Sequence, residues 1–149
     1  MSILQWLETP VVIVGAKAGE KSNWMTAAWV THVSFKPPLL AVSIGPERYT
    51  HSMIKASRAF SISVLREGQE DVAKDLGFRS GAREDKLKGY KVTTAKTGAP
   101  ILEDAGAYYD CRVVGQHTAG DHTLFIGEVV GEKLLDGGPF LPFKSDEYF

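Results

Sequence analysis

The sequence predicts a mainly β protein built as a closed or nearly closed antiparallel barrel with short helical insertions. Three observations carry this. Short apolar runs recur along the chain, each ended by Gly, Pro or a polar turn. Only two segments have the three-to-four-residue apolar spacing of a helix. The 149 residues, 44% hydrophobic and 23% charged, have the composition of one ordinary globular domain with a core of its own. With no internal repeat, low-complexity tract or linker, the whole span 1–149 reads as a single domain.

Residues 10–15 form a β-branched run closed by Gly15, the pattern of a buried strand. Residues 16–22, with Gly19, Glu20 and Lys21, read as a hairpin-like turn. The next strand, residues 22–31, is the most unusual stretch in the chain. Thr26, Val30 and Thr31 suit an extended backbone, but Ala27 and Ala28 are poor strand residues. Two readings stay open: a core strand with two small packing positions, or a bare main-chain ledge on which a flat, polar-edged ligand can lie. Residues 33–38 end this strand, because Pro37 and Pro38 offer no amide donors to a central ladder.

Residues 39–44 form another buried strand, stopped by Gly45 and Pro46. Residues 49–57 predict a short helix with Thr50 as N-cap and Met53 and Ile54 on its inner face. Residues 58–65 alternate, with Phe60, Ile62 and Val64 on one face and Ser61 and Ser63 on the other, which predicts a half-buried strand. Residues 69–77 predict a second helix, with Val72 and Leu76 four apart and Gly77 as the stop. Residues 78–89 are charged and contain glycine, and read as a mobile loop. Residues 90–100 are weakly extended. Residues 107–117 and 122–135 predict two long strands joined by a tight turn at Gly120 and Asp121. The tail from residue 136 carries Phe140, Phe143, Tyr148 and Phe149, enough apolar surface to dock on a neighbour.

Several function classes are disfavoured. Seventeen basic against eighteen acidic residues give no reason to expect nucleic acid as a partner, although a local phosphate site needs only a few donors. Cys111 is the one cysteine, so no internal disulfide or Cys cluster can form, and it reads as a packing residue in its strand. The histidines (His32, His51, His117, His122) lack metal-binding spacing. Residues 1–15 lack the charged lead-in of a signal peptide, and no apolar run approaches about 20 residues, so neither a leader nor a membrane span is expected and cytoplasmic residence is the default. The glycine-rich phosphate-cradling motifs are absent.

Four pieces, in this order, change the reading: Asn23-Trp24-Met25-Thr26-Ala27-Ala28-Trp29; Pro37-Pro38-Leu39-Leu40-Ala41-Val42-Ser43-Ile44; Arg48-Tyr49-Thr50-His51; and Gly120-Asp121-His122-Thr123-Leu124-Phe125-Ile126-Gly127-Glu128-Val129. Together they resemble the flavin reductase-like proteins, the FMN-binding split-barrel family, over residues 10–130. The resemblance implies a six-stranded antiparallel split β-barrel of Greek-key type. It further implies a homodimer that binds FMN at or near the subunit interface and transfers a hydride from NADH or NADPH to flavin. Some relatives supply reduced flavin to a monooxygenase; others, such as flavoredoxins and ferric reductases, keep FMN and pass electrons to another acceptor. A non-catalytic flavin-binding or structural barrel is the third reading.

On this resemblance the expected cofactor-binding residues are Asn23, Trp24, Met25, Thr26, Ala27, Ala28, Trp29, Thr31, Ser43, Arg48, Thr50, His51 and Lys86. Ala27 and Ala28 let a tricyclic ring approach the main chain, while the cofactor itself carries the redox chemistry. Asn23 and Thr31 bond the ring or ribityl chain, and Ser43 reaches the ribityl or phosphate. Arg48 pairs with the phosphate, helped by donors from Thr50 and His51 at a helix N-terminus. Lys86 matches the family's loop lysine and closes over the phosphate. Trp24 either shields the ring or packs at the dimer contact. His122 matches the histidine near the nicotinamide, where it orients the donor or tunes charge without acid–base work.

Overall fold

The computed structural model describes residues 7–143. The backbone forms nine strands and two helices: β1 (Val12–Ala18), β2 (Lys21–Ala27), β3 (Val30–Ser34), β4 (Leu39–Ile44), α1 (Tyr49–Ser57), β5 (Ala59–Val64), α2 (Glu70–Phe78), β6 (Val92–Thr93), β7 (Ile101–Leu102), β8 (Ala107–Ala119) and β9 (His122–Leu134). Seven of them make one antiparallel sheet in the order β2-β1-β5-β8-β9-β4-β3, and β6 pairs with β7 in a separate ribbon. The edge strands β2 and β3 are joined by only two residues, Ala28 and Trp29. The sheet must therefore curl until its edges meet at one corner, which makes it a barrel split at that corner.

The mainly β antiparallel barrel with two helical insertions is as expected, but the sheet has seven strands rather than six. The extra strand comes from residues 22–31, which do not form one strand. The chain turns at Ala28, whose carbonyl accepts the Val30 amide at 3.1 Å, so the two halves pair with different neighbours, β1 and β4.

Two apolar clusters hold the fold. The barrel interior collects Val12, Val14, Met25, Val42, Phe60 and Phe125, closed at one end by Met53 and Ile54 of α1. The second cluster covers the outside of β1 and β2, where Val11, Ile13 and Trp24 pack under Ala73 and Leu76 of α2 and against Leu141. Alternating side chains of β1 thus enter both clusters, which is why its first half, Val12 to Val14, is uniformly apolar while Lys17 near its exposed end is not.

Strand β5 is corrected in the same way: it is buried on both faces, not one. The hydroxyl of Ser61 donates to the Pro100 carbonyl at 2.5 Å, and the hydroxyl of Ser63 accepts the Leu102 amide at 3.0 Å. The small polar face is covered by a peptide segment that satisfies it. Helix α1 has the expected bounds, but its N-cap is Arg48 rather than Thr50, and no side chain caps it. Helix α2 runs through Gly77 to Phe78. In the tail, Leu141 docks on the chain's own β1–β5 end through backbone bonds to Val11 and Leu65, while Tyr148 and Phe149 lie outside the described residues. Among the described residues no helix is long and apolar enough to cross a membrane.

Candidate functional site

Side chains on β2 alternate between the two clusters, and this sorts the expected site residues. Met25 and Ala27 belong to the barrel-interior cluster, and Asn23 shares their side of the strand. Trp24 and Thr26 point the other way. Trp24 is fully buried under α2, its indole N–H donating to the Pro100 carbonyl at 2.9 Å, and its ring meets Tyr90 edge-on. Thr26 donates to the Ala73 carbonyl of α2 at 2.6 Å. The expectation that the Trp24 side chain shields a ring or packs at a dimer contact is therefore corrected: it is core of its own chain. Thr26 can meet a ligand only through its backbone.

Asn23 and Met25 line a small cavity of about 170 Å³ with Arg48, Thr50, Arg79 and Lys86. Its donors come from three places. The first two turns of α1 have neither a capping side chain nor an acidic residue, so amides at its N-terminus lack intrahelical partners. Arg48 stands at that terminus. Lys86 arrives from the loop after α2 and is only 2% exposed.

Burial, then the charges of Arg48 and Arg79, bring the Lys86 ammonium down to about 8, against weaker opposition from Asp75 and Glu84. Burial also lowers Arg48, partly offset by Glu47. Among the described residues neither cation forms an ion pair. Two further polar atoms of this lining are buried without a partner: Asn23 Oδ1, whose Nδ2 donates to Thr50 Oγ1 at 2.9 Å, and Arg79 Nε.

Gly81 makes the close approach of the loop possible. A Cβ there would stand 2.1 Å from Asn23 Oδ1. The loop after α2, read from its composition as mobile, is tied down by named contacts. Arg79 donates to Glu84 at 2.6 Å, to Asp75 at 2.9 Å and to the Lys86 carbonyl at 3.2 Å, and Tyr90 donates to Asp75 at 2.5 Å. Glu84 first, then Asp75, keep the Arg79 guanidinium firmly charged against its burial. The sequence reading missed Arg79, Ser80 and Gly81. The available signal was Asp75 four residues before Arg79, the spacing of an ion pair at the end of a helix.

A second group gathers at the corner where the sheet edges meet. Trp29 is 51% exposed and its ring lies 4.8 Å from that of His122, tilted by 43°. Its carbonyl accepts the Ser43 amide at 2.9 Å, and Ser43 pairs with Leu124 near the start of β9. His122 follows a two-residue turn in which Gly120 takes a positive φ of 62°, and its Nδ1 lies 2.9 Å from Asp121 Oδ1. The buried Ala27 and Ala28 connect this corner to the cation cavity along β2.

Two expected residues are not brought into either group as expected. The His51 amide donates to the Arg48 carbonyl, and its ring is buried against Phe125 with Nε2 2.8 Å from Thr123 Oγ1. The amide is taken by Arg48 and Nε2 by Thr123, so the expectation of a phosphate contact through the His51 amide is corrected; the residue ties α1 to the start of β9. Burial, then Lys55, lowers its pKa, against opposition from Glu47. Thr31 lies on β3, in a separate open apolar groove of about 560 Å³ shared with Val30, Phe35, Leu39 and Tyr109.

Known proteins place the chain. It is 32% identical over 148 residues to the NADH-dependent FAD reductase of Streptomyces globisporus, covering 91% of this chain and 79% of that protein. It is 38% identical to an FMN-binding protein from Thermus thermophilus, solved with bound p-hydroxybenzaldehyde; the TM-score is 0.84, covering 89% of this chain and 75% of that one. It is also 32% identical to diflavin flavoprotein A 1 of Synechocystis sp. over 82% of this chain, but that match spans only 22% of the larger protein. Residues 4–148 match the flavin reductase like domain, and the chain belongs to that family of flavin-binding split barrels.

Proposed function

We propose that the chain is an NAD(P)H-dependent flavin reductase that binds FMN with its phosphate in the cation cavity and its ring against the Ala27–Ala28 backbone. The observation that carries this is the buried Lys86, which forms no ion pair among the described residues, beside Arg48 at an uncapped helix N-terminus. A cation held out of water with carboxylates only at a distance costs stability until an anion arrives, and a phosphate dianion supplies that charge. The donor set fits the group: two cations, free helix amides and the Thr50 hydroxyl face the anion. Asn23 Oδ1 can accept from a ribityl hydroxyl. From Asn23 to Ala28 the chain spans roughly 17 Å at about 3.3 Å per residue, room for an extended tail and a tricyclic ring end to end.

When bound, flavin accepts the hydride from the nicotinamide and passes electrons on. The chain's residues bind and orient. Ala27 and Ala28, lacking bulk, admit a flat ring to an edge strand with a ladder partner on one side only. Trp29 and His122, in contact at the corner, offer an aromatic face for the nicotinamide; what they contribute is stacking geometry. The open groove along β3, with Phe35 87% exposed, supports a homodimer, with the second copy covering it. In this reading the chain would supply reduced flavin to a monooxygenase or another acceptor.

The similarity to an FMN-binding protein supports a second reading, a carrier that holds FMN tightly and passes electrons to a protein or ferric complex. The test is a fluorescence titration with FMN, followed by NADH and NADPH oxidation with FMN, FAD and ferric chelates as acceptors. Saturable FMN binding with nucleotide oxidation is the expected result. Binding without oxidation of either nucleotide favours the carrier, and absence of FMN binding refutes both.

A further inference from the structure

Arg79 was not among the residues the sequence singled out, yet its guanidinium holds the cation cavity together. It follows directly on α2, where the chain leaves the helix in extended conformation. Its Nη1 reaches forward to Glu84, and its Nη2 reaches back to Asp75 and across to the Lys86 carbonyl. Asp75 is fixed in turn by the Tyr90 hydroxyl at the far end of the loop, and the Tyr90 ring packs on Trp24 in the core. The loop that delivers Lys86 is therefore anchored through one side chain to a helix and to the barrel wall.

This arrangement uses the two terminal nitrogens and leaves Nε–H over. That N–H is buried, has no protein partner and belongs to a residue lining the cavity. A guanidinium has five donors in a fixed fork, and buried donors are rarely left unmade. Asn23 Oδ1, in the same lining, is a second unpartnered atom on a side chain only 2% exposed. One donor and one acceptor thus wait in a single cavity beside two unpaired cations. A phosphorylated polyol satisfies all of them at once: its phosphate takes the donors and its hydroxyl takes the acceptor.

We propose that Arg79 is a positioning residue of the anion cavity, holding the Lys86 backbone in place while its Nε–H donates to the bound phosphate. The proposal rests on the reading of the cavity as the flavin phosphate site. A purely structural staple would leave Nε–H partnered or turned to solvent, and would affect phosphorylated and unphosphorylated flavins alike.

The test compares FMN with riboflavin, which lacks the phosphate, in fluorescence titrations of the full chain between pH 6.5 and 9.5. Arg79→Gln is expected to weaken FMN about tenfold or more, the scale of a lost charge-assisted contact, and to leave riboflavin within about twofold. It also removes a cation beside Lys86, so the pH at which FMN affinity falls off moves upward. Arg79→Lys keeps the charge, so it should hold that midpoint near wild type while still weakening FMN. If Arg79→Gln does not fold, Arg79→Lys, checked by its melting curve, carries the comparison through its FMN-to-riboflavin ratio. Equal weakening of both flavins, or an unmoved pH midpoint in a folded Arg79→Gln, overturns the role of Arg79. Failure of the wild-type chain to bind FMN more tightly than riboflavin overturns instead the phosphate reading on which it rests.

Discussion

Replacing Lys86 by Met tests the cation cavity most directly, because the structure fixes two opposite effects. Met has about the same length and no charge. In the unliganded protein the Lys86 ammonium sits near 8 rather than its ordinary 10.5. The folded state therefore binds this proton less tightly than the unfolded state. Below pH 8 the full penalty is present, and it is relieved as pH rises toward the unfolded value. A shift of that size corresponds to about 3 kcal/mol at most. Lys86→Met should accordingly raise the stability of the unliganded protein at pH 7 by a sizeable part of that amount, seen as a higher Tm. FMN binding should move the other way, weakening by about tenfold to a hundredfold, as expected for a charge-assisted contact worth about 1.5–3 kcal/mol.

The pH profile sharpens the test. A phosphate monoester is a dianion above its second pKa of about 6, and Lys86 in the free protein is charged below about 8. Wild-type affinity for FMN should be highest between those limits and fall roughly tenfold from pH 7 to pH 9, the range over which Lys86 loses its proton. Riboflavin affinity should stay flat. Isothermal titration at several pH values, with and without the substitution, reads all of this. An FMN affinity that changes less than twofold from pH 7 to 9, or a Lys86→Met variant that keeps the wild-type slope, refutes the assignment of Lys86 to the phosphate.

Arg48→Ala should weaken FMN by about 1–3 kcal/mol with riboflavin unaffected, since its guanidinium stands at the same helix terminus; unchanged FMN affinity contradicts the role. His122→Ala should raise the apparent KM for NADH or NADPH more than it weakens FMN, and steady-state kinetics showing the reverse would put His122 against the flavin instead. Trp24→Phe should lower stability by about 1 kcal/mol in denaturant melts, because Pro100 loses one of two donors and keeps Ser61. FMN affinity should stay within twofold in that variant, and a larger loss would return Trp24 to the site. Phe35→Asp should shift the protein toward monomer in light scattering, and an unchanged mass would remove the groove along β3 from the subunit contact.

Much of this architecture was legible in the residues. Alternation and turn residues place β4, β5 and the β8–β9 pair, and α1 falls on its expected bounds. Other features depend on what packs against what. Nothing local in residues 22–31 says that the first half pairs with β1 and the second with β4, since both halves suit an extended chain. Trp24 and Thr26 look as available to a ligand as Asn23 until α2 is seen lying over their face. Ser61 and Ser63 look solvated because the segment that covers them, near Pro100 and Leu102, is distant in sequence. Local charge alone makes Lys86 look like a surface residue among Arg83, Glu84 and Asp85; its burial appears only once the loop is seen held by Arg79 through the Lys86 carbonyl. Arg48, Thr50, Asn23 and Lys86, which the family motif singled out, line one cavity, whereas nothing in that motif says that the His51 amide goes to Arg48 and its ring to Thr123.

The two-residue join between the outermost strands has one further effect. A sheet that ends in bare backbone invites a foreign chain to add itself as the next rung, which is how many β proteins come to aggregate. Here each border runs straight into the other through Ala28 and Trp29, so an intruding strand would have to prise the polypeptide open at its own hinge. The same corner leaves the outer main-chain groups of β2 and β3 without a ladder partner, so what protects the border is its tight closure and not a covering strand.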